Sequence, residues 1–223
     1  MADATPNDGK RLDEPAAWSQ LQVILSNCLK HPDDSLRKAI VDGALESDLE
    51  EAMGAVGVEA PSSPPAIHDR DLTEDYEALF GAFQRPFAPP AASPYKEWYD
   101  DSRSGLMDGP PASRMENRYE ALEITVPEAY PADHVALQLE YASLLTEAGE
   151  YDELAAFVET ELDWIDAFAE MVSEAVADAP FYRFCVDLLV AVVSELRMQL
   201  GVSDPTSDQI TAMLDRVEPN VTE

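Results

Sequence analysis

Few residues of this chain carry reactive chemistry at a useful spacing. The three histidines, His31, His68 and His134, are far apart, whereas a histidine-based metal site takes several ligands at close or helical spacing. The nine glycines never cluster into a phosphate-cradling loop, and no Gly-x-Ser-x-Gly elbow presents a nucleophile. Carboxylate pairs are uninformative among 45 acidic residues. Cys28 and Cys185 lie far apart in the sequence in apolar helical contexts, which fits small buried residues better than metal ligands or a disulfide framework. One pair stands out. Asp133-His134 follows Tyr130-Pro131 where a loop turns into a helix. It reads as a metal-dependent hydrolase pair, as a recognition site at a helix N-terminus, or simply as a first-turn acid beside an exposed imidazole.

A second constellation is aromatic. Tyr76, Leu79 and Phe80 share helical spacing, and Pro94, Tyr95, Trp98 and Tyr99 close a proline-rich loop. Aromatics at helical spacing usually build core. On a proline-braced loop they offer large apolar contact at little entropic cost, as a peptide-binding groove requires.

The elements that must position these groups are helical. Apolar residues recur at three and four, and no alternating β-branched run is bracketed by turn residues. Residues 1–13 read as a flexible acidic tail, and Pro15 opens a helix through Trp18, Leu21, Leu25 and Leu29. A second helix is expected from Asp33 or Asp34, through Met53, to an end near Gly54 or Gly57. Residues 59–68 form a Pro- and Ser-rich linker, and Asp71 with Glu74 fits a capping box for the helix carrying Tyr76. After the Pro-rich loop at 86–94, helices are expected from Pro110, from about Ala132 to Ala148, twice between Asp152 and Ala177, from Phe181 to Leu200, and last, a short one, to about Val217. The Phe181–Leu200 helix is apolar nearly all round and is expected at the centre. The expectation is one all-α bundle of about nine or ten helices spanning residues 14–218.

Charge narrows the function classes. Forty-five acids against 14 bases give a net charge of −31. Such a surface repels phosphates, so nucleic acid and anionic lipid are excluded as easy partners. Partners are expected to be cationic or to dock through apolar pockets. Most of this acidity reads as adaptation to concentrated salt, where screening acts within about 3 Å. The polar N-terminus has no apolar signal core and no apolar run is long enough for a membrane span, so a cytoplasmic protein is expected.

Four blocks together resemble the TorD/DmsD family of molybdoenzyme chaperones, whose other branch includes NarJ. They are Asp75-Tyr76-Glu77-Ala78-Leu79-Phe80; Pro94-Tyr95-Lys96-Glu97-Trp98-Tyr99; Tyr130-Pro131-Ala132-Asp133-His134; and Trp164 to Phe168 followed by Ala179-Pro180-Phe181-Tyr182-Arg183. The chain departs from the family pattern at Tyr130, where an acid is common. The resemblance covers roughly residues 70–200. It implies a TorD-like fold and a chaperone that is not an enzyme and carries no metal or other cofactor. The implied partner is the twin-arginine signal peptide on the precursor of a molybdopterin oxidoreductase catalytic subunit, held until cofactor is inserted. The aromatic-x-x-Leu-Phe and Asp-His blocks lean towards the dimethyl sulfoxide and trimethylamine N-oxide reductase branch. The implied peptide site comprises Tyr76, Leu79, Phe80, Pro94, Tyr95, Trp98, Tyr99, Pro131, Asp133 and His134, with Asp133 as the acid for the arginines. A monomer or a helix-exchanged dimer is compatible with this class. Two alternatives stand beside it: a helical assembly protein without a peptide groove, and a metal-dependent hydrolase using Asp133-His134.

Overall fold

The computed structural model describes residues 11–65, 67, 70–81, 88–96 and 109–221. Ten helices run in order among them: α1 (Pro15–Cys28), α2 (Asp34–Val41), α3 (Ala44–Val56), α4 (Leu72–Phe80), α5 (Pro110–Ala121), α6 (Val135–Ala148), α7 (Tyr151–Glu161), α8 (Ile165–Glu174), α9 (Pro180–Leu200) and α10 (Ser207–Val221). No strand occurs among the described residues. The single extended contact is an isolated antiparallel bridge between Ala91 and His134.

The bundle is organised around α6 and α9. The most extensive helix pairing is α1 on α6, and α3 also packs on α1. Helices α7 and α8 both pack on α9. The expected central helix α9 buries residues around most of its circumference, from Phe181 to Leu200. Helix α6 shares that position. It buries Val135 to Leu139, Tyr141 to Ser143, Leu145 and Thr146. Its buried polar side chains find partners through oxygen, although the amide nitrogens of Gln138 and of Gln22 opposite have none. Trp164 Nε1 donates to Gln138 Oε1 at 3.0 Å, and the Thr146 hydroxyl donates to Gln22 Oε1 on α1 at 3.1 Å. Apolar periodicity counts Gln22, Gln138 and Thr146 as surface, so it understates how deeply α6 lies.

Three sequence expectations change. The helix expected from Asp33 or Asp34 to Gly54 or Gly57 is two helices, broken at Gly43, whose φ of 74° is a left-handed conformation open to glycine at little cost. The apolar spacing runs through this break and hides it. Residues 1–10 of the expected tail lie outside the described residues, but Leu12 is buried in the main core, so the ordered domain begins before residue 14. The last helix runs to Val221 rather than Val217 and is not short. The two cysteines, distant in sequence, meet across α1 and α9. Both are buried, and burial with a hydrogen bond to Cys28 pushes the Cys185 thiol well above its usual value.

One buried ion pair ties the C-terminal half together. The Arg197 side chain is 3% exposed and donates to Asp166 Oδ2 at 2.8 Å and to the Leu162 carbonyl at 3.0 Å. Removing one member of such a pair leaves its partners desolvated without compensation. Arg197→Ala is expected to cost about 3 kcal/mol. Thermal denaturation followed by circular dichroism should show Tm falling by about 10 °C for a chain of this size.

Candidate functional site

The N-terminus of α6 anchors the proline-rich loop. The Ala92 N–H donates to the Asp133 carbonyl at 3.2 Å and the Val135 N–H to the Pro90 carbonyl at 2.9 Å. Asp133 then grips the loop with its side chain. Its Oδ2 accepts from both the backbone N–H and the hydroxyl of Ser93, each at 2.6 Å. The Gly109 N–H donates to the same hydroxyl at 3.1 Å, and a Cβ at Gly109 would press against Ser93. Residues 88–95 are buried throughout. Lys96 secures the end of the segment by donating to Asp163 and to the Thr160 carbonyl.

This grip decides which way Asp133 faces. The residue is fully buried and its accepting oxygen is taken by Ser93. The expectation that its carboxylate meets arginines directly is therefore corrected: in this arrangement it organises the loop. Burial raises its carboxyl from 3.8 to about 6, against the lowering effect of the Ser93 hydrogen bonds.

His134 faces the other way. It caps α6, its Nδ1 accepting from the Ala136 N–H at 3.2 Å, and its Nε2 lies 3.4 Å from the Tyr76 hydroxyl. With Nδ1 as acceptor, the neutral ring carries its proton on Nε2 and donates towards Tyr76. Burial, with a smaller contribution from Lys30, lowers its pKa from 6.5 to about 3. Asp133 bonds Ser93 through Oδ2, with its buried Oδ1 unpartnered, while His134 bonds Ala136 and approaches Tyr76, so the two do not converge as a ligand pair. No group of three or more potential ligands capable of holding a metal occurs among the described residues.

In front of His134 opens a cleft of about 340 Å3 lined by Tyr76, Phe80, Pro90, Tyr130, Pro131 and His134, with His31 at its rim. The Tyr76 ring packs edge-on against Phe80, Tyr182 and His31 at centroid distances of 5.1, 5.4 and 5.4 Å. Tyr130 lies 4.7 Å from the His134 ring. Burial raises the Tyr76 hydroxyl above its ordinary value, so the floor of the cleft is uncharged and aromatic with a few neutral polar points.

The structure therefore brings Tyr76, Phe80, Pro131 and His134 to one cleft. Leu79 lies beneath it in the core, its carbonyl accepting from the Ala88 N–H at 2.9 Å. Pro94 and Tyr95 are also buried. Tyr95 packs on Trp164 at 5.0 Å and supports the loop from below rather than lining a groove. Trp98 and Tyr99 lie outside the described residues. Sequence reasoning missed His31, Pro90 and Tyr130 as lining residues. Tyr130 was the visible departure from the family pattern, and His31 sits at a helix end with no local signal.

The two buried titrating groups act on stability with opposite sign. For Asp133 the folded value lies above the unfolded one, so its contribution is fully present below about pH 4 and lost as pH rises through about 6. For His134 the folded value is depressed, so its contribution is present above about 6.5 and lost as pH falls towards 3. Between about pH 7 and pH 4 the parent is expected to gain about 2 kcal/mol relative to Asp133→Asn. Urea denaturation of both proteins across that range measures it; parallel pH profiles would remove Asp133 as the titrating group.

No helix among the described residues is long and apolar enough to cross a membrane. No curated protein matches the chain. The family described as nitrate reductase delta subunit matches residues 42–177, a span that holds α4, the buried loop and the α6 N-terminus with its cleft. The match covers more than half of the chain, and the chain belongs to the nitrate reductase delta subunit family, whose members are non-catalytic chaperones of redox-enzyme maturation.

Proposed function

We propose that the chain binds the twin-arginine signal peptide of a molybdopterin oxidoreductase precursor, of the dimethyl sulfoxide or trimethylamine N-oxide reductase type, and holds it in the cytoplasm until cofactor insertion. The observation that carries the reading is the uncharged aromatic cleft between α4 and the α6 N-terminus, on a surface otherwise strongly acidic. A twin-arginine peptide has a cationic segment followed by an apolar one. The cleft suits the apolar part, and rigid aromatic rings give large contact area at small entropic cost. Tyr76, Phe80, Pro131 and His134 would touch the peptide. Asp133, Pro94 and Tyr95 would act by holding the loop in place.

The open aromatic cleft favours this reading over a helical assembly protein, which would use an apolar stripe for a partner helix. Tyr76→Ala is expected to weaken binding of a synthetic twin-arginine peptide by about tenfold or more, read by fluorescence anisotropy, with the helical signal retained. Binding equal to the parent's would sink the assignment.

The acidity enters as a working condition. With a net charge of −31, self-repulsion is relieved only when salt screens it. Tm is expected to climb steadily as potassium chloride is raised from dilute buffer to molar concentration. A Tm that is flat or falls with salt would contradict a halophilic protein.

A further inference from the structure

Cys28 and Cys185 are the only cysteines of the chain and lie far apart in its sequence, yet the fold sets them side by side. Cys28 ends α1, Cys185 sits in the second turn of α9, and the two helices pack directly. Their side chains are in hydrogen-bond contact within the core. Buried structural thiols are usually inert. Two features set this pair apart. The first is an approach from outside. Cys28 is 1% exposed, but it borders a hollow of about 510 Å3 whose lining also includes Ile24, His31, Leu36 and Tyr130.

The second feature is the place of the pair beside the aromatic cleft. Tyr182 precedes Cys185 by one turn of α9, and both thiols act on its hydroxyl electrostatically. The Tyr182 ring packs edge-on against Tyr76 at 5.4 Å and Phe80 at 5.6 Å. His31 follows Cys28 by three residues. Its ring also meets Tyr76 at 5.4 Å, and its backbone N–H donates to the Tyr130 hydroxyl at 3.0 Å. The two cysteines therefore stand next in the chain to two of the rings that flank Tyr76.

We infer that Cys28 and Cys185 are a reversible redox pair, which a small oxidant of the peroxide class joins as a disulfide that staples α1 to α9 and stiffens the rim of the aromatic cleft. The chemistry balances with peroxide alone. Cys28 Sγ attacks one peroxide oxygen, the O–O bond breaks, and the departing hydroxide takes the thiol proton as water, leaving Cys28 as a sulfenic acid. Cys185 Sγ then attacks the Cys28 sulfur. The S–S bond forms, and the sulfenic oxygen departs with the Cys185 proton as a second water. Two thiols lose two electrons, and one peroxide is reduced to two waters. The order follows from the site. Cys28 is the sulfur that borders the hollow, while burial and the hydrogen bond to Cys28 keep the proton on Cys185 until the second step. A bond about 2 Å long replaces a non-bonded contact, so the end of α1 and the second turn of α9 can no longer separate. The inference does not depend on what occupies the cleft, and it stands or falls apart from the signal-peptide reading.

The test treats the full reduced chain with hydrogen peroxide under native conditions, then counts thiols after denaturation. The two thiols should be lost together, the mass should fall by two hydrogens, peptide mapping should join Cys28 to Cys185, and dithiothreitol should restore both thiols. The oxidised protein should melt about 10 °C higher, because the link closes a long loop of the unfolded chain. Amide exchange over residues 29–33, which include the His31 N–H, should slow about tenfold. Cys185→Ala should stop at the Cys28 sulfenic acid, trapped with dimedone, and show neither the Tm rise nor the slower exchange. Two intact thiols after peroxide, oxidation beyond the sulfenic acid with no link, or a link only between separate copies would overturn the pair. A Cys28–Cys185 link that leaves exchange over residues 29–33 at the reduced protein's rate would overturn its coupling to the cleft. None of these readouts uses the twin-arginine peptide, so failure here is distinct from failure of that assignment.

Discussion

The Asp133 carboxylate is the constraint on which the candidate site depends. A buried carboxylate is costly unless donors reach its oxygens. Here the Ser93 N–H and hydroxyl reach Oδ2 while Oδ1 is left without a partner, and the two bonds fix an otherwise irregular loop against the first turn of α6. The backbone bridge at Ala91 and His134 then follows, and the loop in turn places Pro90 and Ala91 on one wall of the cleft. Asp133 faces Ser93, while His134 at the next position, also buried, faces the cleft. Two adjacent residues thereby divide the work: one holds the scaffold and the other meets the solvent-facing cleft.

A second theme is the separation of charge from contact. The chain carries a net charge of −31, yet the floor of the cleft has no ionised group, since His134 is held neutral by burial. Long-range attraction would bring a cationic segment towards the molecule in dilute buffer, while salt removes that attraction and leaves apolar contact intact. Affinity that must persist across salt concentrations is better placed on rings such as Tyr76, Phe80 and Tyr130 than on dispersed carboxylates.

Much of the fold was legible. From α4 onward every helix but α8 announced itself through three-and-four spacing with a proline, glycine or capping residue near an end, as Asp71 does by accepting from the Thr73 N–H at 2.9 Å. The break at Gly43 was not, because a left-handed residue interrupts a helix without interrupting its apolar period. The site was half legible. Residue type and order pointed to Tyr76, Phe80, Pro131 and His134, but not to the direction of any side chain. Asp133 and Tyr95 look like surface chemistry in one dimension and are core in three. His31 was invisible, since its place at the rim comes from α1 meeting the loop before α6, a contact between segments far apart in the chain.

That last contact bears on how the chain is made. Helix α1 leaves the ribosome well before its principal partner, α6, which is more than a hundred residues downstream, as the Ser26–Glu140 and Ser19–Glu147 hydrogen bonds attest. Until α6 emerges, only α2 and α3 are there to cover part of α1's buried surface. Non-local closure of this kind slows folding and lengthens the exposure of apolar surface. A maturation chaperone thus spends part of its own synthesis with an uncovered helix of its own.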